Sequence, residues 1–176
     1  GTASPALTQP ESILNGQIDL ARLVDLAAER LDLNIEYDPS QIRGSVTFRL
    51  GQPIGDDELW ALTNRLLAAR GYTTIRRTGE DTIGVVPLND AAGLARLETD
   101  SPADEIGSGY RVVVIETRHA EADALLPVLK SFASGRAGSV SRVAESDLLL
   151  IADLAPRVEQ ILSVLEELDT PDATVE

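Results

Sequence analysis

Residues 110–169 read YRVVVIETRHAEADALLPVLKSFASGRAGSVSRVAESDLLLIADLAPRVEQILSVLEELD, and the order of patterns in this stretch decides the fold. Tyr110–Glu116 is a nearly continuous apolar run rich in β-branched residues, the mark of a strand covered on both faces. Ala120–Ala133 follows with Ala122, Leu125, Leu126, Leu129 and Phe132 at helical spacing, and Gly135 and Gly138 end it. Ser139–Val143 and Asp147–Ala152 are two short strands joined through Ala144-Glu145-Ser146, a hairpin. Pro156 then opens a helix in its first turn, where a missing N–H costs nothing, and Val158, Ile161, Leu162, Leu165 and Leu168 form its apolar face. Thr170-Pro171 stops it. The module is β-α-β-β-α, a sheet with helices on one face.

Outward from this module, a second one precedes it. Ser12–Asn15 reads as a short strand, and Asp19 stands at the N-cap of a helix carrying Leu20, Leu23, Val24, Ala27 and Leu31 on one face, ending near Asp32. Asn34–Tyr37 is a short strand before the turn Asp38-Pro39-Ser40. In Ser45–Arg49, Val46 and Phe48 alternate with Thr47 and Arg49. Asp56, Asp57 and Glu58 open another helix, where the dipole favours acids, with Leu59, Leu62, Leu66 and Ala69 inward and Gly71 as a left-handed stop. Tyr72–Arg77 and Thr82–Pro87 form a hairpin across Thr78–Asp81. The expected class is therefore α+β: two small two-layer modules, β-α-β-β-α-β-β over residues 12–87 and β-α-β-β-α over residues 110–170. Residues 1–11 are expected to be a disordered leader and residues 171–176 a linker to a further domain. Residues 88–109 lose periodicity and are expected to be a linker with a helical turn around Ala91–Leu97.

Composition narrows the chemistry. The net charge is −14, and acids outnumber bases in both modules and between them, so nucleic-acid phosphates and anionic membrane surfaces are repelled at long range. There is no Cys, which removes disulfides, thiolate zinc sites and Cys nucleophiles and suits a periplasm. With no Met either, Gly1 reads as the start of a processed piece whose signal peptide is gone. No apolar run approaches the ~18 residues a membrane helix requires, so no direct insertion by this segment is expected.

Each candidate for catalysis has a plainer reading. His119-Ala120-Glu121 matches half of a zinc-deaminase signature whose other half is two cysteines. Gly135-Arg136-Ala137-Gly138 matches the GxxG clamp of KH domains, but joins a helix to a strand in an acidic module. Asp56–Glu58 are consecutive on a helix start and point apart, so they read as dipole partners, not paired catalytic acids. Glu166 and Glu167 read as a solvated face, and Trp60 as core or interface packing. No catalytic, metal-binding or cofactor residue is expected, and no cofactor.

The whole layout resembles a known family. Asn15 ahead of the first helix, Leu23–Ala27, Asn34–Asp38 with Pro39, Gly44–Thr47, and Val85–Leu88 running into Asp90-Ala91-Ala92 resemble the first N-terminal domain of bacterial outer-membrane secretins. Val114–Glu116, Leu125–Leu129, Asp147–Ala152 and Ile161–Asp169 resemble their KH-like second domain. The VVPLNDAA exit and acidic linker look most like the type II secretion (GspD-like) branch. The resemblance implies a periplasmic, non-enzymatic part of a protein-secretion channel in the outer membrane. Its expected partners are the inner-membrane platform protein, secreted protein cargo, and further copies of itself in an oligomeric ring. The first module also resembles the signalling domain of TonB-dependent receptors, which remains an alternative, as does a KH-type RNA binder. Sheet edges accept added strands, so Ile13, Leu14, Asn15, Val46 and Phe48 are the expected partner-binding residues.

Overall fold

The computed structural model describes residues 16–99 and 104–171. The elements run in the order β1 (Gly16–Asp19), α1 (Leu20–Leu31), β2 (Ile35–Glu36), β3 (Ser45–Phe48), α2 (Asp56–Ala69), β4 (Tyr72–Arg76), β5 (Ile83–Pro87), a 3₁₀ turn (Leu88–Asp90), α3 (Ala91–Leu94), β6 (Leu97–Glu98), β7 (Tyr110–Glu116), α4 (Ala122–Phe132), β8 (Ser139–Arg142), β9 (Leu148–Leu154) and α5 (Ala155–Leu168). This is an α+β fold with three small sheets: β1-β3, β2-β5-β4 and β6-β7-β9-β8.

In the first module, α1 buries Leu20, Leu23, Val24, Leu26 and Ala27 along one stripe. It ends where Asp32 turns left-handed at φ 52° and returns its N–H to Ala28. Asp19 does occupy the N-cap, but its side chain makes no capping bond. The second helix departs from its expected face. In α2 the buried residues are Leu59, Trp60, Thr63 and Leu67, whereas Ala69 is exposed and Leu62 and Leu66 are half-buried. Thr63 belongs in a core because its hydroxyl donates to Leu59 O at 2.8 Å within the helix, so no polar atom is stranded. Gly71, at φ 85°, turns the chain from α2 into β4 as the sequence suggests.

The second module has the β-α-β-β-α order read from the sequence. Its helices α4 and α5 lie on one face of the sheet, over Val113, Leu149 and Ile151. The hairpin β8–β9 turns through Ala144, held at φ 50°. Its register pairs Val140 with Ile151.

The two faces of β7 explain its continuous apolar run. Val113 and Ile115 face the helices, while Tyr110 and Val112 face the other way. There they meet Ile75, Val86 and Ala91 of the preceding residues, with Ala152 of β9, in a third buried cluster shared by the two modules. Modules of 65–75 residues are marginal alone, and each buried Leu or Ile contributes about 1.5–3 kcal/mol, so a shared core matters to both. Residues 88–99, expected as linker, carry α3 and β6. Ala91 is fully buried, and β6 pairs in parallel with β7, Leu97 opposite Val112, extending the second sheet.

Candidate partner-binding surface

The ribbon β1–β3 stands apart from the other sheets. Its antiparallel register sets Gly16 against Phe48 and Ile18 against Val46. Leu20 N–H donates to Gly44 O at 3.0 Å, which fixes the alternation: residues 16, 18, 46 and 48 bond across the ribbon. The backbone groups of Gln17, Asp19, Ser45 and Thr47 therefore point away from it, onto its two edges, which pair with no other strand among the described residues. Ser45 O is already taken by the Arg70 guanidinium at 2.9 Å. That guanidinium lies over Gly44, at φ 108°, where a Cβ would overlap Arg70 Nη1. Thr47 is left as the open position on the β3 edge, exposed, beside exposed Arg49.

The residues expected to bind a partner fall differently. Ile13, Leu14 and Asn15 lie outside the described residues, and the first described strand, β1, begins after them at Gly16. Phe48 is buried at 8% exposure in the first core, so its side chain holds the ribbon to the module and is not a contact surface. Val46 is half-buried on the same inner face. The exposed positions that alternate with Val46 and Phe48 are Thr47 and Arg49.

A cleft of about 1000 Å³ opens between the modules, lined among others by Trp60, Asn64, Arg76, Glu105, Arg111 and Arg157. Much of its charge is consumed internally. Glu105 receives Arg76 at 3.0 Å and Arg96 at 2.9 Å. Glu98 receives Arg111 at 2.9 Å, and this pairing holds the Arg111 guanidinium protonated more firmly than usual.

The other sequence candidates are structural. His119 sits at the β7–α4 corner, where its backbone N–H donates to Asp169 at 2.7 Å. Asp56 pairs with Arg30 at 2.9 Å while Asp57 lines the cleft, so the two do not converge. Glu166 and Glu167 are exposed, and Trp60 is buried with Nε1 donating to Gly107 O at 2.7 Å. The GxxG loop closes on fully buried Asp153, which accepts the Ser134 N–H at 2.8 Å and the Ser134 hydroxyl. A Cβ at Gly138 would overlap this carboxylate, so the glycine serves the loop's packing. Nucleic-acid phosphates are repelled at long range by the net charge of −14. Nearby, burial and then the Asp153 charge push the Tyr110 phenol up to about 12. Among the described residues no group of three His, Asp or Glu is placed to hold a metal, and no helix is long and apolar enough to cross a membrane.

No protein-family model matches the chain, and no curated protein matches it. Solved structures do. A chain of the Klebsiella pneumoniae type II secretion system outer membrane complex, with PulD, PulS and the PulC HR domain, is 23% identical over 89% of this chain and 26% of that one, with a TM-score of 0.63. The N-terminal domain of the secretin XcpQ from Pseudomonas aeruginosa is 18% identical over 90% of this chain and 65% of that one, with a TM-score of 0.36. The enterotoxigenic Escherichia coli GspC–GspD complex is 19% identical over 88% of this chain and 96% of that one, with a TM-score of 0.33. The first likeness carries the comparison: the chain shares its fold with part of a chain of the Klebsiella type II secretion system outer membrane complex, and it spans about a quarter of that chain.

Proposed function

We propose that this chain is the periplasmic N-domain segment of an outer-membrane secretin of a type II secretion system. In this reading it works by binding proteins and catalyses no reaction. The observation that carries the proposal is the likeness at TM-score 0.63, which runs through 89% of the chain and so takes in both modules in order. The Klebsiella complex that shares the fold holds PulD together with the PulC HR domain, which supports an inner-membrane platform protein as the partner here.

The docking surface in this reading is the β1–β3 ribbon with the residues that precede it, Ile13, Leu14 and Asn15. An extended partner segment adds to an edge of the ribbon. Main-chain hydrogen bonds supply affinity, and neighbouring side chains such as Arg49 supply selectivity. The second module contributes weak lateral contacts between identical copies, multiplied by ring symmetry, and secreted protein cargo passes within the ring.

Binding of the periplasmic part of the cognate platform protein tests this. Thr47→Pro removes an outward N–H without touching the β1–β3 ladder, and Ile13→Asp charges the segment ahead of the ribbon. Each is expected to weaken binding by about tenfold or more with the circular dichroism spectrum unchanged. Wild-type affinity in both variants sinks the ribbon as the docking surface. Phe48→Asp is unsuitable, because Phe48 is core and the variant would report unfolding.

A further inference from the structure

The short segment from Ile106 to Tyr110 is held from both sides. From the first module, Arg76 Nη2 donates to Ile106 O at 2.8 Å and Trp60 Nε1 to Gly107 O at 2.7 Å. Gly109 is shared: its N–H donates to Thr74 Oγ1 at 2.7 Å, while its carbonyl accepts Ala155 N–H, the first residue of α5, at 2.9 Å. The Thr74 hydroxyl is aligned for this by donating to Asn64 Oδ1 at 2.5 Å, and Asn64 Nδ2 donates to Trp60 O at 3.0 Å. A Cβ at Gly109 would overlap Asn64 Oδ1 and lie 2.7 Å from Asn64 Cγ and 3.0 Å from Thr74 Oγ1. Glycine is therefore required here for space. Beside this line lies the apolar cluster that both modules share, with Ile75, Val86 and Ala91 against Tyr110, Val112 and Ala152.

We infer that this segment is a weld: the two modules tumble and unfold as one body, with their mutual angle set at Gly109. A flexible linker reorients at almost no cost. Reorientation here strips buried hydrogen bonds from Gly109 and exposes the shared cluster to water. A partner that docks on the β1–β3 ribbon then moves the second module with it. The inference rests on the packing alone and not on the secretin reading, so its failure leaves the docking experiment untouched.

Nitrogen-15 relaxation of the wild-type chain tests it directly. One rotational correlation time is expected for the amides of both modules, and two distinct values overturn the weld. Gly109→Ala is the disruptive variant. It is expected to give two correlation times and two separate unfolding transitions, with both modules retaining their strands and helices. Adding Asn64→Ala to that chain removes the two nearest clashes and is expected to return the values toward one. A Gly109→Ala protein that tumbles and melts like wild type overturns the inference. If that variant is recovered only unfolded, the wild-type relaxation values decide.

Discussion

The carboxylate of Asp169 receives three consecutive backbone N–H groups: Arg118 at 2.6 Å, and His119 and Ala120 at 2.7 Å each. These amides lie at the β7–α4 corner, so the residue that ends α5 closes the opposite end of the module. Burial pushes its carboxyl up, but the three donors, with His119 nearby, outweigh this and hold it below its ordinary 3.8. A depressed pKa contributes stability that is fully present above the unfolded value and is lost as pH falls through the folded one. Asp169→Asn leaves one oxygen for three donors. Water reaches the site, so the loss is expected to be about 1 kcal/mol, at the low end for bonds to a charged group. Urea unfolding at several pH values checks this. The gap between variant and wild type is expected to be constant from about pH 7 to about pH 5 and to close below about pH 4. A gap that persists unchanged at acid pH means the charge contributes nothing.

Among the elements, α2 separates what periodicity tells from what packing decides. Its start among Asp56–Glu58 and its stop at Gly71 are local chemistry and were legible. Its buried face was not, because a helix covered on two sides has apolar residues around much of its circumference, and the sequence does not say which row meets which neighbour. Leu67 is fully buried, and Leu67→Ala is expected to cost about 2–4 kcal/mol. Ala69→Ser, at the residue that periodicity placed inward, is expected to stay within about 0.5 kcal/mol. Urea midpoints for the two variants decide between the faces; equal losses contradict the observed one. The same distinction governs the candidate site. Alternation in Ser45–Arg49 showed that Val46 and Phe48 share one face, yet not that this face is the inner one. That depends on Ile18 and α1 packing beneath it. Strand β6 was invisible for another reason: two residues carry no period, and Leu97–Glu98 is a strand only because β7 offers it an edge.

At the scale of the molecule, the surplus of 14 negative charges opposes compaction, whereas the ion pairs favour it. Of the six pairs found among the described residues, Arg30–Asp56, Arg77–Glu80 and Arg142–Asp123 each have a partner more than half exposed. Such pairs contribute about 0–1 kcal/mol and weaken in salt. Arg76–Glu105, Arg96–Glu105 and Arg111–Glu98 are sheltered around the cleft, and screening reaches them less. Added salt therefore removes little attraction. It removes much more of the repulsion among unpaired acids, which act over distances near a Debye length of about 10 Å at 0.1 M. Raising NaCl from about 10 mM to about 200 mM is expected to raise Tm by a few degrees. Scanning calorimetry at constant pH checks the sign. A Tm that falls with salt means the ion pairs outweigh the net charge. In that case the attraction lost is that of the exposed pairs, because the sheltered pairs Arg76–Glu105, Arg96–Glu105 and Arg111–Glu98 yield least to salt.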